Sequence, residues 1–140
     1  MWRTIASIIC GLVAWAVVAT VLNFGLRAAI PGYHAAELAL KTNGAMEFTG
    51  AMEAGRLIEA ALASLAAGAV VSLVDPSKRW APWVVGLIVL AAFLPVHVKL
   101  WHTFPVWYHL TFLVPLVPLV VLGAALTRNV STHSAATAIA

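Results

Sequence analysis

Charge is what this sequence has least of. Only 9% of its 140 residues are Asp, Glu, Lys or Arg, against about 25% in soluble domains, while 63% are hydrophobic. A water-soluble fold of this length cannot bury so much apolar surface, so the expected solvent is a bilayer. Cysteine is nearly absent as well. A lone Cys10 excludes an intramolecular disulfide, a CxxC motif and a thiolate metal cluster; inside an apolar run it reads as a small packing residue. No block of Lys and Arg is present to grip a polyanion. The formal charge of +3 therefore bears on membrane orientation rather than on nucleic acid. The GxSxG, P-loop and GxGxxG patterns are missing too, and no serine stands near a histidine in the pattern a nucleophile needs, so a non-enzymatic chain is expected.

What the sequence does hold is long apolar runs. Segments 4–26, 52–74, 81–98 and 106–127 are each long enough to cross about 30 Å of hydrocarbon at about 1.5 Å per residue. An open sheet in lipid leaves backbone groups unpaired at several kcal/mol each. The expected fold is therefore all-α: a four-helix transmembrane bundle in up-down order, one integral-membrane domain over residues 1–140. The uncharged run 4–26 exceeds the roughly 7–15 residues of a signal-peptide core, so a retained helix is expected there. Pro82 and Pro105 open the third and fourth spans, where a missing N–H costs nothing. Pro95, Pro115 and Pro118 fall inside spans and are expected to bend them.

The connections differ in length. Asp75-Pro76-Ser77-Lys78-Arg79 reads as a tight turn. Short links of this kind are expected to make the second, third and fourth spans antiparallel neighbours. The first connection, 27–51, is longer. It holds Pro31-Gly32, an Asn43-Gly44 turn, and Glu37 and Lys41 at i,i+4, which predicts a short interfacial helix over 35–41. The Ser/Thr/Ala-rich tail, 128–140, is expected to fray. With four spans both termini share a side. That side carries Arg3, Lys78, Arg79 and Arg128, the other Arg27, Lys41, Arg56 and Lys99. The tally is even, but Arg3 before the first span and two cations in one short turn orient most strongly. Both termini are therefore expected in the cytoplasm of an inner, plasma-membrane bilayer.

Two features carry the functional reading. Along the second span Ala60, Ser64, Gly68 and Ser72 recur every four residues, a small-residue ladder that permits close helix approach. It serves either the bundle's own packing or a homo-oligomer or larger membrane complex. The second feature is the stretch 94–112, with His97, His102 and His109 among the chain's five histidines. Chain reversal places these at one rim with Glu53, Arg56 and Glu59 of the second span, with Lys99, Trp107 and Tyr108, and with Asn23 and Arg27 of the first. Glu59 sits about one turn into the apolar zone, where an unpaired charge costs about 2–3 kcal/mol. Arg56 is its expected partner, with Lys99 or His109 as others. Trp101, Trp107 and Tyr108 read as an aromatic belt, as do Trp80, Trp83 and Trp2 at the opposite face. His97 and His109 stand at similar depth on consecutive spans and are candidates, with Glu59, to hold a metal ion or a b-type haem iron. Against that, their spacing matches no compact metal signature, and interfacial histidines also occur as plain belt residues. Glu53, Arg56, Lys99, His102, Trp107 and Tyr108 complete the candidate binding cluster.

The segment Phe104-Pro105-Val106-Trp107-Tyr108-His109-Leu110-Thr111-Phe112, with the runs 61–71 and 94–97, resembles small hypothetical four-helix inner-membrane proteins of Gram-negative bacteria. The resemblance implies a bacterial inner-membrane location. It transfers no activity and no catalytic residue. Three functions are compatible with these features. The foremost is a non-enzymatic accessory or interaction subunit of a membrane complex, with the lipid bilayer as its environment and no cofactor. The others are a haem- or metal-binding membrane protein and a small transporter or channel.

Overall fold

Pro31-Gly32 is the first place where the helical chain breaks. The Tyr33 N–H donates to the Ile30 carbonyl at 3.1 Å, and Gly32 takes φ of 81°. Proline then glycine at the centre of a turn is the signature of type II, whose third position needs a left-handed backbone. The computed structural model describes residues 2–42 and 48–137, with side chains to residue 129; the Asn43-Gly44 turn lies outside the described residues. Every regular element among them is a helix: α1 (Trp2–Ala29), α2 (Tyr33–Thr42), α3 (Gly50–Val74), α4 (Ala81–Lys99) and α5 (Val106–Thr137). Four of these, α1, α3, α4 and the Val106–Asn129 portion of α5, are long and apolar enough to cross a membrane.

Local chemistry sets most of the ends. The Thr49 hydroxyl accepts from the Met52 N–H and caps α3, satisfying one of the orphan donors of a first turn. Asp75 ends that helix, and Pro76 after it cannot extend the hydrogen-bond ladder. Pro82 stands in the first turn of α4. Pro95, Pro115 and Pro118 all lie within continuous helix. The tail departs from expectation: instead of fraying at 128, the helix of the last span runs to Thr137. No proline or glycine occurs between Arg128 and Thr137, so nothing in the covalent chain stops it.

The helices pack with small residues inward and large ones outward. Ala60, Ala63, Ser64, Ala67, Ala81 and Ala124 are buried, whereas Ile5, Ile9, Val13, Val17 and Val21 of α1 are more than half exposed. A water-soluble protein does not display such a stripe; lipid accepts it, and small residues inside let backbones approach. Thr4 meets Asp75 and Trp15 meets Ser64, so α1 and α3 run in opposite directions. Phe93 meets Phe112 and His97 meets His109, so α4 and α5 do too.

The neighbour order corrects the reading from short turns. Although only six residues join α3 to α4, these helices touch only lightly, and α3 instead packs along α1 and α5. The reason lies in the small-residue ladder. A methyl placed on Gly68 would fall on the Val120 carbonyl, and one on Gly123 on the Leu65 carbonyl. Only glycine allows the backbones of α3 and α5 this close, and that contact takes α5 in preference to α4. All four ladder residues lie within the molecule: Ala60, Ser64 and Ser72 are buried, as is Gly68.

At the end bearing the N-terminus, the Asp75 carboxylate accepts from the Thr4 hydroxyl at 2.9 Å and from the Ser77 hydroxyl at 2.6 Å. The Ser77 bonds, then that of Thr4, hold its pKa below the ordinary carboxylate value. The Arg3 guanidinium donates to the Val74 carbonyl at 3.2 Å.

Overpacking at the α3–α5 contact is expected to be costly. Gly68→Ala should lower stability by about 1–3 kcal/mol. Gly25→Ala, where a methyl meets nothing within 4 Å, should be neutral or stabilise by up to about 1 kcal/mol. Unfolding midpoints in one detergent compare the two; equal midpoints would contradict the close approach.

Candidate functional site

At the opposite end the parallel run of α3 and α5 sets Arg56 beside Tyr108 and His109, and the turn 100–105 folds α4 back so that His97 arrives on the same spot. The His97 and His109 Nδ1 atoms lie 2.8 Å apart. That is hydrogen-bond distance, so one Nδ1 carries a hydrogen and the other presents its lone pair. Two Nδ1–H groups cannot face each other at this separation, so the pair holds one shared proton at most. His97 is 6% exposed and His109 fully buried.

Aromatic rings box the pair. Trp101 stacks on the His109 ring at 4.8 Å and 14°; Phe112 packs against His97 at 4.5 Å. Beneath lies a hollow of about 20 Å³ bordered by Arg56, His97, Tyr108, His109 and Phe104, space for a single water. The His109 Nε2 is buried and has no hydrogen-bond partner, while the Arg56 guanidinium faces the Tyr108 hydroxyl and lies 5.6 Å from the centre of the Phe48 ring. The site thus offers donors and imidazole nitrogens in a sheltered, aromatic setting.

Not every candidate residue joins it. His102 and Lys99 are exposed, outside the imidazole pair. Trp107 projects outward, 52% exposed, as a belt residue does. Tyr108 does not: it is 3% exposed, because it shares the inward stripe of Phe112, Leu116, Val120 and Ala124 at four-residue spacing. Glu53 is buried beside this stripe. Among the described residues no Arg56 nitrogen stands within 4 Å of the Glu59 carboxyl, although the Arg56 charge acts on it from farther off and the Asn23 side chain is near it; Asn23 donates to the Tyr33 hydroxyl at 3.4 Å.

The metal reading can be tested on these distances. Two nitrogens on one tetrahedral ion, each about 2.0–2.1 Å from it, stand about 3.3 Å apart, and axial haem ligands stand about 4 Å apart with the iron between them. The observed pair is closer than either. Among the described residues no three of His, Cys, Asp and Glu gather to hold a metal ion, so Glu59 does not complete a set with the histidines.

Two residues outside the expected cluster tie it to the rest of the molecule. Trp15, near mid-span in α1, donates from its indole to the Ser64 hydroxyl at 3.2 Å and packs on Phe93. A tryptophan so deep in an apolar run needs an acceptor, and Ser64 was the serine at matching depth. Tyr33, fully buried, anchors α2 over Met52 and Phe48. Docking of α2 is completed by Arg27, 2.7 Å from Glu37. Burial acts to raise the Glu37 pKa, but the Arg27 hydrogen bond and the Lys41 and Arg27 charges outweigh it and hold the carboxyl below its ordinary value.

The chain matches no family model, no curated protein and no solved structure with which it was compared. The functional reading rests on the residues.

The imidazole pair predicts strong coupling. His97→Phe or His109→Phe alone leaves a buried nitrogen unpaired and should destabilise by about 1–3 kcal/mol, whereas the double substitution should cost less than the sum. A double-mutant cycle of unfolding in detergent measures this. Strict additivity would contradict the hydrogen bond.

Proposed function

We propose that this chain is a four-span protein of the bacterial inner membrane, an up-down four-helix bundle with both termini in the cytoplasm. Its role is that of a non-enzymatic accessory or interaction subunit acting through its rim. One observation carries this reading: the titratable side chains converge on a hollow of about 20 Å³, sized for water rather than for a substrate or solute. The larger hollows, of about 240 to 370 Å³, open on the outside of the helices, so recognition takes place on the outer surface. The orientation draws support from the Arg3–Val74 and Thr4–Asp75 contacts, which gather the N-terminus and the Lys78-Arg79 turn at one end, where cations favour the cytoplasmic side.

The small-residue ladder faces α1 and α5, so a partner engages another surface. Metal binding by His97 and His109 is the second reading, favoured by the meeting of two imidazoles from different helices; it needs the rings to part and ligands from elsewhere. Native mass spectrometry of the full chain from mild detergent separates these readings. The proposal expects a co-purifying protein subunit and no mass from a metal or haem. A bare monomer would contradict the accessory role, and a stoichiometric metal or haem adduct would establish the second reading.

A further inference from the structure

Where α2 lies near the C-terminal end of α4, an open groove of about 330 Å³ runs between them, lined by Leu40, Lys41, Arg56, Val96, Lys99 and Leu100. Its chemistry is sharply divided. Three cations stand along it, and Leu40, Val96 and Leu100 supply apolar walls. Glu37 also borders the groove, but its carboxylate is engaged by Arg27 at 2.7 Å. The contact from Lys41 to Glu37 is longer, 3.4 Å, with the lysine side chain 65% exposed. Among the described residues neither Arg56 nor Lys99 has a carboxylate within 4 Å. Glu53 and Glu59 do not line the groove. The Phe48 ring under Arg56 holds the guanidinium in place by cation–π attraction.

The position of the groove adds to the argument. Lys99 is the last residue of α4, at the end of an apolar span, the level where headgroups meet hydrocarbon. Val98 beside it is 65% exposed. A free inorganic anion would satisfy the cations and leave the apolar walls wet. A glycerophospholipid satisfies both, with its phosphate on the cations and its glycerol and first methylenes on Leu40, Val96 and Leu100. A headgroup carrying net negative charge is preferred over a zwitterionic one, because the zwitterion brings its own ammonium to the same cations.

We propose that the α2–α4 groove is a binding site for the phosphate headgroup of an anionic glycerophospholipid. The proposal rests on the membrane-spanning reading and is independent of any protein partner. Its test is native mass spectrometry of the full chain in detergent, titrated with phosphatidylglycerol or with phosphatidylcholine of the same acyl chains, and separately with inorganic phosphate. The wild-type chain should retain phosphatidylglycerol about fivefold or more over phosphatidylcholine, taking the usual contribution of one interfacial lysine. Inorganic phosphate should neither bind nor displace it. Lys41→Gln/Lys99→Gln should abolish the preference, while Lys78→Gln/Arg79→Gln at the other end should keep it; circular dichroism shows that each variant remains helical. Equal retention of both lipids, an undiminished preference in the Lys41/Lys99 variant, loss of preference in the Lys78/Arg79 variant, or capture of inorganic phosphate alone would each overturn the groove. Failure to retain lipid of either kind would overturn the groove alone, since the membrane reading rests on the four apolar helices.

Discussion

The approach of α3 to α5 at Gly68 and Gly123 is the constraint from which the rest of the arrangement follows. In lipid there is no hydrophobic drive between helices, so association depends on how closely backbones can come. Here the α-carbons of two glycines lie against carbonyls of the facing helix. That contact fixes the register of two parallel helices, and the same register carries Arg56 to Tyr108 and His109 several turns away. The turn 100–105 then has one task, to bring α4 back along α5, and His97 meets His109 as a result. The rim cluster is thus a consequence of packing in the middle of the molecule.

The two ends use polarity differently. At the end with the N-terminus, Asp75 is a hub for hydroxyls of Thr4 and Ser77, which clamps α1 to the α3–α4 turn. At the opposite end the polar groups are larger and boxed by rings, with the imidazoles sharing one hydrogen bond and Trp101 stacked outside. Arg56 borders both the inner hollow and the outer groove. With Val96 and Leu100 it forms the wall common to the two, and among those three it is the one that carries charge. Buried polar groups joined in this way polarise one another.

Much of this was legible from the amino acids. The apolar runs located four helices, to within a few residues at every end but the last, prolines stood near the start of the third and fourth, and Glu37 with Lys41 announced α2. The meeting of His97 and His109 followed from chain reversal alone. Other features depended on information that a single helix does not hold. The choice of α5 rather than α4 as the neighbour of α3 is a matter of backbone clearance between two distant glycines. Tyr108 was assigned to the belt by residue type, although its four-residue spacing from Phe112 and Leu116 places it inward. Glu59 and Arg56 act on each other without a close ion pair, a separation that i,i+3 spacing does not resolve. The helical continuation to Thr137 shows that a polar composition does not by itself end a helix.

The central claim is that lipid surrounds the four apolar helices, so that the imidazole rim and the Asp75 turn lie on opposite sides of a membrane. The most direct measurement is labelling of single cysteines by a membrane-impermeant maleimide in spheroplasts. It uses a Cys10→Ser chain carrying either His102→Cys or Ser77→Cys. The account predicts that position 102 reacts in intact spheroplasts and position 77 only after lysis. Reaction of both from the same side would contradict it.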